Sequence, residues 1–269
     1  MNNLFQASAT SIRCFHILAR IGIIAGAFLV SFNLNLVLVS VIAYHIFLTI
    51  GISIMMHRYF SHKSFEFKNS IVRKVFILIS LLSLRGSPIA WAYVHRTHHE
   101  HVDTGNDPHT PVGRKFNFFG LVDKTNKSDN IQIFKIRSMM TREHLFINQY
   151  YWLILLLVLV PFAFFDFTLF YYGWLVPIVC VQFSINLQNY LGHMPGFGAY
   201  RTYDNATSGN SQNSLLLWPL YLGEAWHNNH HSYAKHYHYG KEISGKWWEF
   251  DPGAVLIKLL KNDKTFNSR

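Results

Sequence analysis

An all-α integral membrane protein, with four transmembrane helices in two hairpins and a cytoplasmic helical cap, is the fold class this sequence predicts. Three observations carry it. Half of the 269 residues are hydrophobic and only 14% are charged, against roughly 25% in an ordinary soluble domain. The long apolar runs come in two pairs, each joined by a short link without a basic residue. Most of the 24 Lys and Arg and of the 16 His collect outside those pairs. Two cysteines exclude a disulfide scaffold. A net charge of +10 beside so much apolar surface suits anionic lipid headgroups and not nucleic acid.

The first run predicts a span over about 15–32, uncleaved because no small-residue cleavage site follows it. Arg20, near its start, can snorkel to the interface. After Asn33-Leu34-Asn35 a second span covers 36–56 without a charge. Residues 75–84 are too short to cross an apolar core about 30 Å thick and predict a surface-lying or core helix. A third span at 150–166 and a fourth at 169–191 flank Asp166-Phe167-Thr168. With two re-entering pairs every basic residue outside the spans falls on one face, which the excess of Lys and Arg identifies as cytoplasmic. Both ends are then cytoplasmic, and 57–149 with 194–269 form the cap of a single membrane domain, 1–269. Residues 202–214, rich in Asn, Ser and Gly, read as an exposed connection.

Three histidine boxes stand on that cap side: His57-Arg-Tyr-Phe-Ser-His62, His95-Arg-Thr-His98-His99 and His227-Asn-Asn-His230-His231. Residues at i, i+3 and i+4 share a helix face, so each H-x-x-H-H box can converge. His57 and His62, five apart, lie about 140° around an α-helix, so the second span should end or bend between them. Asn189 and His193, at i and i+4, point the same way from the end of the fourth span. Nine imidazoles in one volume exceed the needs of a single ion, and the economical reading is a histidine-rich dimetal site. The other histidines, His16, His45, His101, His109, His144, His236 and His238, read as surface or satisfied core residues.

These boxes, with Gly223-Glu-Ala-Trp ahead of the third, Asp103-Thr-Gly-Asn-Asp107-Pro after the second and Trp247-Trp-Glu-Phe-Asp251-Pro near the end, resemble the membrane fatty acid desaturases. The resemblance is to the acyl-CoA and acyl-lipid delta-9 group, and it runs from about residue 57 to 260. It implies a non-haem centre of two iron ions that uses O2 and two electrons to remove two hydrogens from a saturated acyl chain. It implies the metal ligands His57, His62, His95, His98, His99, His193, His227, His230 and His231, with Asn189 joining through water. The substrate would be an acyl-CoA, an acyl carrier protein thioester or an acyl-lipid, lying in an apolar tunnel walled by the second and fourth spans, with Phe47 and Phe183 on it. Arg85, Arg96, Lys235 and Lys241 are candidates for the anionic carrier or headgroup. Asp103, Asp107, Glu224 and Asp251 are candidates to orient the imidazoles. No fused cytochrome domain is expected, so an external donor, a ferredoxin or cytochrome b5 with its reductase, supplies the electrons. The rivals are a di-iron fatty acyl hydroxylase and a non-catalytic metal-binding membrane protein. Transport is disfavoured because the boxes sit at span ends and not at mid-membrane.

Overall fold

The computed structural model describes residues 6–111, 133–196 and 198–262. Part of the expected cap, at 112–132, and both chain ends, at 1–5 and 263–269, lie outside the described residues. Among the described residues, three helices are long and apolar enough to cross a membrane: α1 (Ala9–Leu29), α2 (Leu34–His62) and a fourth-run helix, Phe167–Leu191. Between them come α3 (Ser70–Leu82), α4 (Pro88–Glu100), α5 (Arg142–Gln149) and α6 (Tyr151–Phe165). α6 meets α5 at a 62° bend, and the pair counts as a fourth crossing only if taken as one bent span. The fourth-run helix is α7, and α8 (His227–Ser232) and α9 (Pro252–Leu260) complete the set.

Polar residues in the links start these helices. Asn33 caps α2 by accepting from the N–H groups of Asn35 and Leu36, and Asp166 caps α7 by accepting from Leu169. α1 leaves Ile17, Ile21, Ile24 and Phe28 exposed at helical spacing, the pattern of a lipid-facing stripe. Its other face meets α7, where Gly26 lies flush against the Tyr171 ring and Tyr171 Oη donates to the Ile23 carbonyl at 3.1 Å. α2 joins α7 through Ser40 to the Tyr172 carbonyl, 2.6 Å, and Tyr44 to Ser184, 2.8 Å.

The second span does not end or bend between its two histidines. From Phe47 to His62 it continues in the wider i→i+5 pattern of a π-helix, which stacks residues five apart nearly over one another. Lys63, at φ 53°, stops it in the left-handed region.

Residues 75–84 lie mainly in α3, a 13-residue helix with Ile77, Ser80 and Leu81 buried, in line with the core form of the expected surface-lying or core helix. α3 runs back beside the π-helical half of α2, with Gly51 against Ser83 and Ile79, and α4 then returns toward the histidines. Leu84 and Gly86 turn the chain with positive φ. The carbonyls around this apex accept from three other helices: Tyr151 to Leu81, Trp174 to Leu82 and His16 to Leu84. Irregular backbone amid apolar helices persists only where protein groups satisfy it in this way.

The cap is not wholly helical, since Ala199–Tyr200 pairs antiparallel with Asn213–Ser214. Residues 202–214 are an exposed connection only in part: Asp204, Asn205, Ala206, Thr207 and Asn210 are exposed. Ser208, Ser211 and Asn213 are fully buried, and the segment is stitched to the third histidine box.

Candidate metal centre

The last turns of α2 present His57 and His62, α4 presents His95, His98 and His99, α8 presents His227, His230 and His231, and His193 follows α7 directly. All nine predicted imidazoles come together, in two groups. His57, His62, His95, His99 and His230 form one; His98, His193, His227 and His231 form the other, the ligand atoms within each lying within 4.8 Å of one another. Nε2 faces Nε2 throughout. In the first group His62–His95 is 2.7 Å, His99–His230 2.9 Å and His57–His230 3.0 Å. In the second, His193–His227 is 3.0 Å, His227–His231 3.1 Å and His98–His231 3.2 Å.

Neither H-x-x-H-H box converges on one point. In α4, His95 and His99 serve the first group and His98 the second, while in α8 His227 and His231 serve the second and His230 the first. Each i, i+4 pair takes one face and the intervening histidine, rotated about 60° from it, takes the other. The groups meet where the His99 and His231 rings stack with centroids 4.4 Å apart.

Carboxylates hold the outer nitrogens of three imidazoles. Glu224 meets His57 Nδ1 at 2.6 Å, Asp107 meets His98 Nδ1 at 2.9 Å and Asp103 meets His193 Nδ1 at 3.2 Å. Each contact fixes the tautomer and leaves Nε2 inward. Asp251, a candidate for the same task, touches no imidazole. It accepts from buried Arg58 at 2.8 Å and from the N–H groups of Tyr239 and Ala254, so it caps α9 and anchors the arginine. Arg96 is not available for a headgroup either. Its guanidinium donates to the Ser61 and Phe60 carbonyls at the end of α2, which have no helical partner, and to the Lys135 carbonyl.

Burial lowers the pKa of His95, His99, His227, His230 and His231, and the neighbouring imidazoles lower it further. These rings are neutral near pH 7, the form that ligates metal. For Asp107 burial pushes upward, but hydrogen bonds from His98 and from the backbone of His109 and Asp103 prevail and hold it at about 2. Glu224 is likewise held below the usual carboxylate range, by His57 and Arg58 against the effect of burial.

The donor set fits metal. Two nitrogens each about 2.1 Å from one ion and at right angles stand about 3 Å apart, the spacing seen here. The Nδ1 atoms of His227, His230 and His231 are buried without a hydrogen-bond partner, so the polar contacts of these rings all lie on the inward Nε2 side. A surface cavity of about 560 Å³ reaches both groups, bounded by His99, His231, Tyr233 and Lys235. Asn189 is half-buried in the last turn of α7, four residues before His193.

Sequence reasoning missed the supports of the third box. Asn228 Oδ1 accepts from the N–H groups of Thr202 and Tyr203, both at 2.8 Å, and Asn229 donates to Glu249 at 2.6 Å. Asn213 bonds both of them. Two adjacent asparagines inside an otherwise buried histidine helix were the available signal, because such side chains require partners.

Helices carrying nine convergent imidazoles in two groups define a protein able to hold metal. A family model for fatty acid desaturases matches residues 31–241. The chain is 28% identical over 228 residues to delta-9 acyl-lipid desaturase 1 of Arabidopsis thaliana, covering 79% of this chain and 68% of that protein. To the sn-1 stearoyl-lipid 9-desaturase of Anabaena variabilis it is 30% identical over 231 residues, 83% and 79% of the two chains. To an acyl-CoA C20 Delta5-desaturase of Anemone leveillei it is 28% identical over 228 residues, 78% and 66% of the two chains. The chain belongs to the fatty acid desaturase family, beside its delta-9 group, and is an enzyme of that kind.

Proposed function

We propose that this enzyme introduces a delta-9 double bond into a saturated fatty acyl chain carried as an acyl-CoA, an acyl carrier protein thioester or an intact lipid. The observation that carries the reading is the double set of inward Nε2 atoms, joined by boxes shared between the sets. When bound, two non-haem iron ions supply the oxidising power that, with O2, two electrons and two protons, removes one hydrogen from each of two adjacent methylenes and leaves two waters.

The chain's own residues do the rest. His57, His62, His95, His99 and His230 would hold one iron. His98, His193, His227 and His231 would hold the other, with Asn189 reaching it through water in the position the smaller set leaves open. Glu224, Asp107 and Asp103 keep a proton on the Nδ1 atoms they face. The apolar packing of α2 against α7, which includes Phe47, excludes water and, with Phe183, would give an unactivated chain a wall to lie along. Lys235, at the cavity that reaches both groups, with Arg85 and Lys241, would meet the anionic end of the carrier.

Four spans with both ends cytoplasmic place the boxes on the side of the soluble donor, a ferredoxin or cytochrome b5 with its reductase. A net charge of +10 favours an acidic donor.

The test is the fatty acid profile, with double-bond positions, of host membranes expressing the chain beside a donor, with His99→Ala as control. A new delta-9 monounsaturated chain that disappears in the control is expected. A hydroxylated product would overturn desaturation in favour of oxygen transfer. A double bond elsewhere would overturn the position alone.

A further inference from the structure

Residues 133–149 lead from the cap into α6 and carry chemistry that the metal centre does not use. Ile133, Phe134, Met140, Leu145 and Phe146 are all exposed, Phe134 to 70%. Arg137 and Arg142 are exposed among them. The acidic residue of α5 is engaged elsewhere, since Glu143 forms a bidentate pair with Arg73 at 2.7 and 2.9 Å. α5 is turned 62° from α6, so if α6 stands near the membrane normal α5 lies closer to the membrane plane. Exposed Phe and Leu interleaved with arginines on an in-plane helix suit the boundary between headgroups and acyl chains. Arg142, Glu143 and His144 in its first turn argue against immersion in the apolar core.

The segment is also clamped to the helix of the second histidine box. Arg96, between His95 and His98, donates to the Lys135 carbonyl and to Ser138 Oγ at 3.2 Å. Lys135 Nζ pairs with Glu100 and reaches Thr97 Oγ1 at 3.4 Å. Two reciprocal contacts thus tie residues 133–139 to α4.

We propose that residues 133–149 form an in-plane foot that rests on the anionic phospholipid headgroups of the cytoplasmic leaflet and, through Arg96 and Lys135, sets the height of the second histidine box above the bilayer. This rests on reading α6 and α7 as spans, and its test does not depend on turnover. The full chain, with Cys14 and Cys180 replaced by Ala because both are free and exposed, is spin-labelled at Phe134→Cys or Phe146→Cys. It is placed in nanodiscs of phosphatidylcholine with or without phosphatidylserine. Collision with O2 is compared with collision with a water-soluble nickel chelate, and Asp204→Cys serves as the aqueous reference.

Both foot labels should favour O2 over nickel by several-fold relative to Asp204→Cys and sit at interfacial depth. In phosphatidylserine discs, Arg137→Gln with Arg142→Gln should move the Phe134→Cys label toward the aqueous value. Aqueous values at both foot sites would overturn the proposal and leave the face for an acidic protein. A mid-bilayer value at Phe146→Cys would overturn it in favour of α5 as the first half of a bent span. Insensitivity to the arginine pair would overturn the anionic-lipid component.

Discussion

At Glu224 one carboxylate serves two tasks, holding the outer nitrogen of His57 and lying 3.7 Å from the guanidinium of Arg58. Outer partners of metal-bound histidines typically contribute 10–100-fold in metal affinity. Glu224→Gln should therefore weaken metal at the five-histidine group by roughly that factor while sparing the other, whose partners are Asp107 and Asp103. A graded chelator should strip the variant at a correspondingly lower concentration than the parent chain, and an unchanged stripping curve would argue against Glu224 as a support of the site. The ligands were legible in the sequence because clustered imidazoles have few other uses. Arg58 was not, although its charge is fully buried beside the site. A charge beside a histidine in a motif gives no sign of facing the core, and its partners Asp251 and Tyr239 lie far along the chain. Pairing that close is what makes a fully buried arginine tolerable.

Helix boundaries illustrate a different limit. Apolar length found the long apolar helices, the expected 36–56 falling inside α2 and 169–191 inside α7, because the thickness of a bilayer acts directly on composition. The π-helical half of α2 was invisible, since the hydrogen-bond register of a helix leaves little trace in its apolar pattern. The dip of α3 and α4 was also unreadable, because it depends on Tyr151, Trp174 and His16 donating to the apex from other helices. Trp174→Phe should leave the Leu82 carbonyl unsatisfied at a cost of about 1–3 kcal/mol. The expected result is a thermal midpoint in detergent lowered by several degrees with metal content unchanged. An unaltered midpoint would mean that this bond does not hold the apex.

The whole molecule carries a pH dependence with a definite sign. Burial depresses the imidazoles of α4 and α8, whereas in an unfolded chain they titrate near 6.5. Below about 6.5 the unfolded state therefore binds protons that the folded, metal-free chain refuses, and stability falls as the pH falls. Asp107, held at about 2, acts in the same sense: its contribution is complete above ~3.9 and is lost toward 2. The midpoint of the chelator-treated chain should change little from pH 8 to about pH 7 and then drop toward pH 4, and a flat profile would contradict the neutral, buried imidazoles. Bound metal should raise the whole curve without flattening it, because the ion holds nitrogens that are already unprotonated in the folded chain while the unfolded chain still takes up protons.

The division of both H-x-x-H-H boxes between the two groups bears on how the centre fills. α4 and α8 each reach into both groups, so an ion arriving first at the five-histidine group restrains both helices and with them three of the four ligands awaiting the second. The ordering entropy then falls mainly on the first event, which is positive cooperativity without any change of shape. Metal uptake by the stripped chain should be sigmoidal, with half-filled molecules scarce at every point of the titration. Assembly of the centre becomes close to all-or-none, and a cell short of metal would hold a few fully loaded molecules among empty ones.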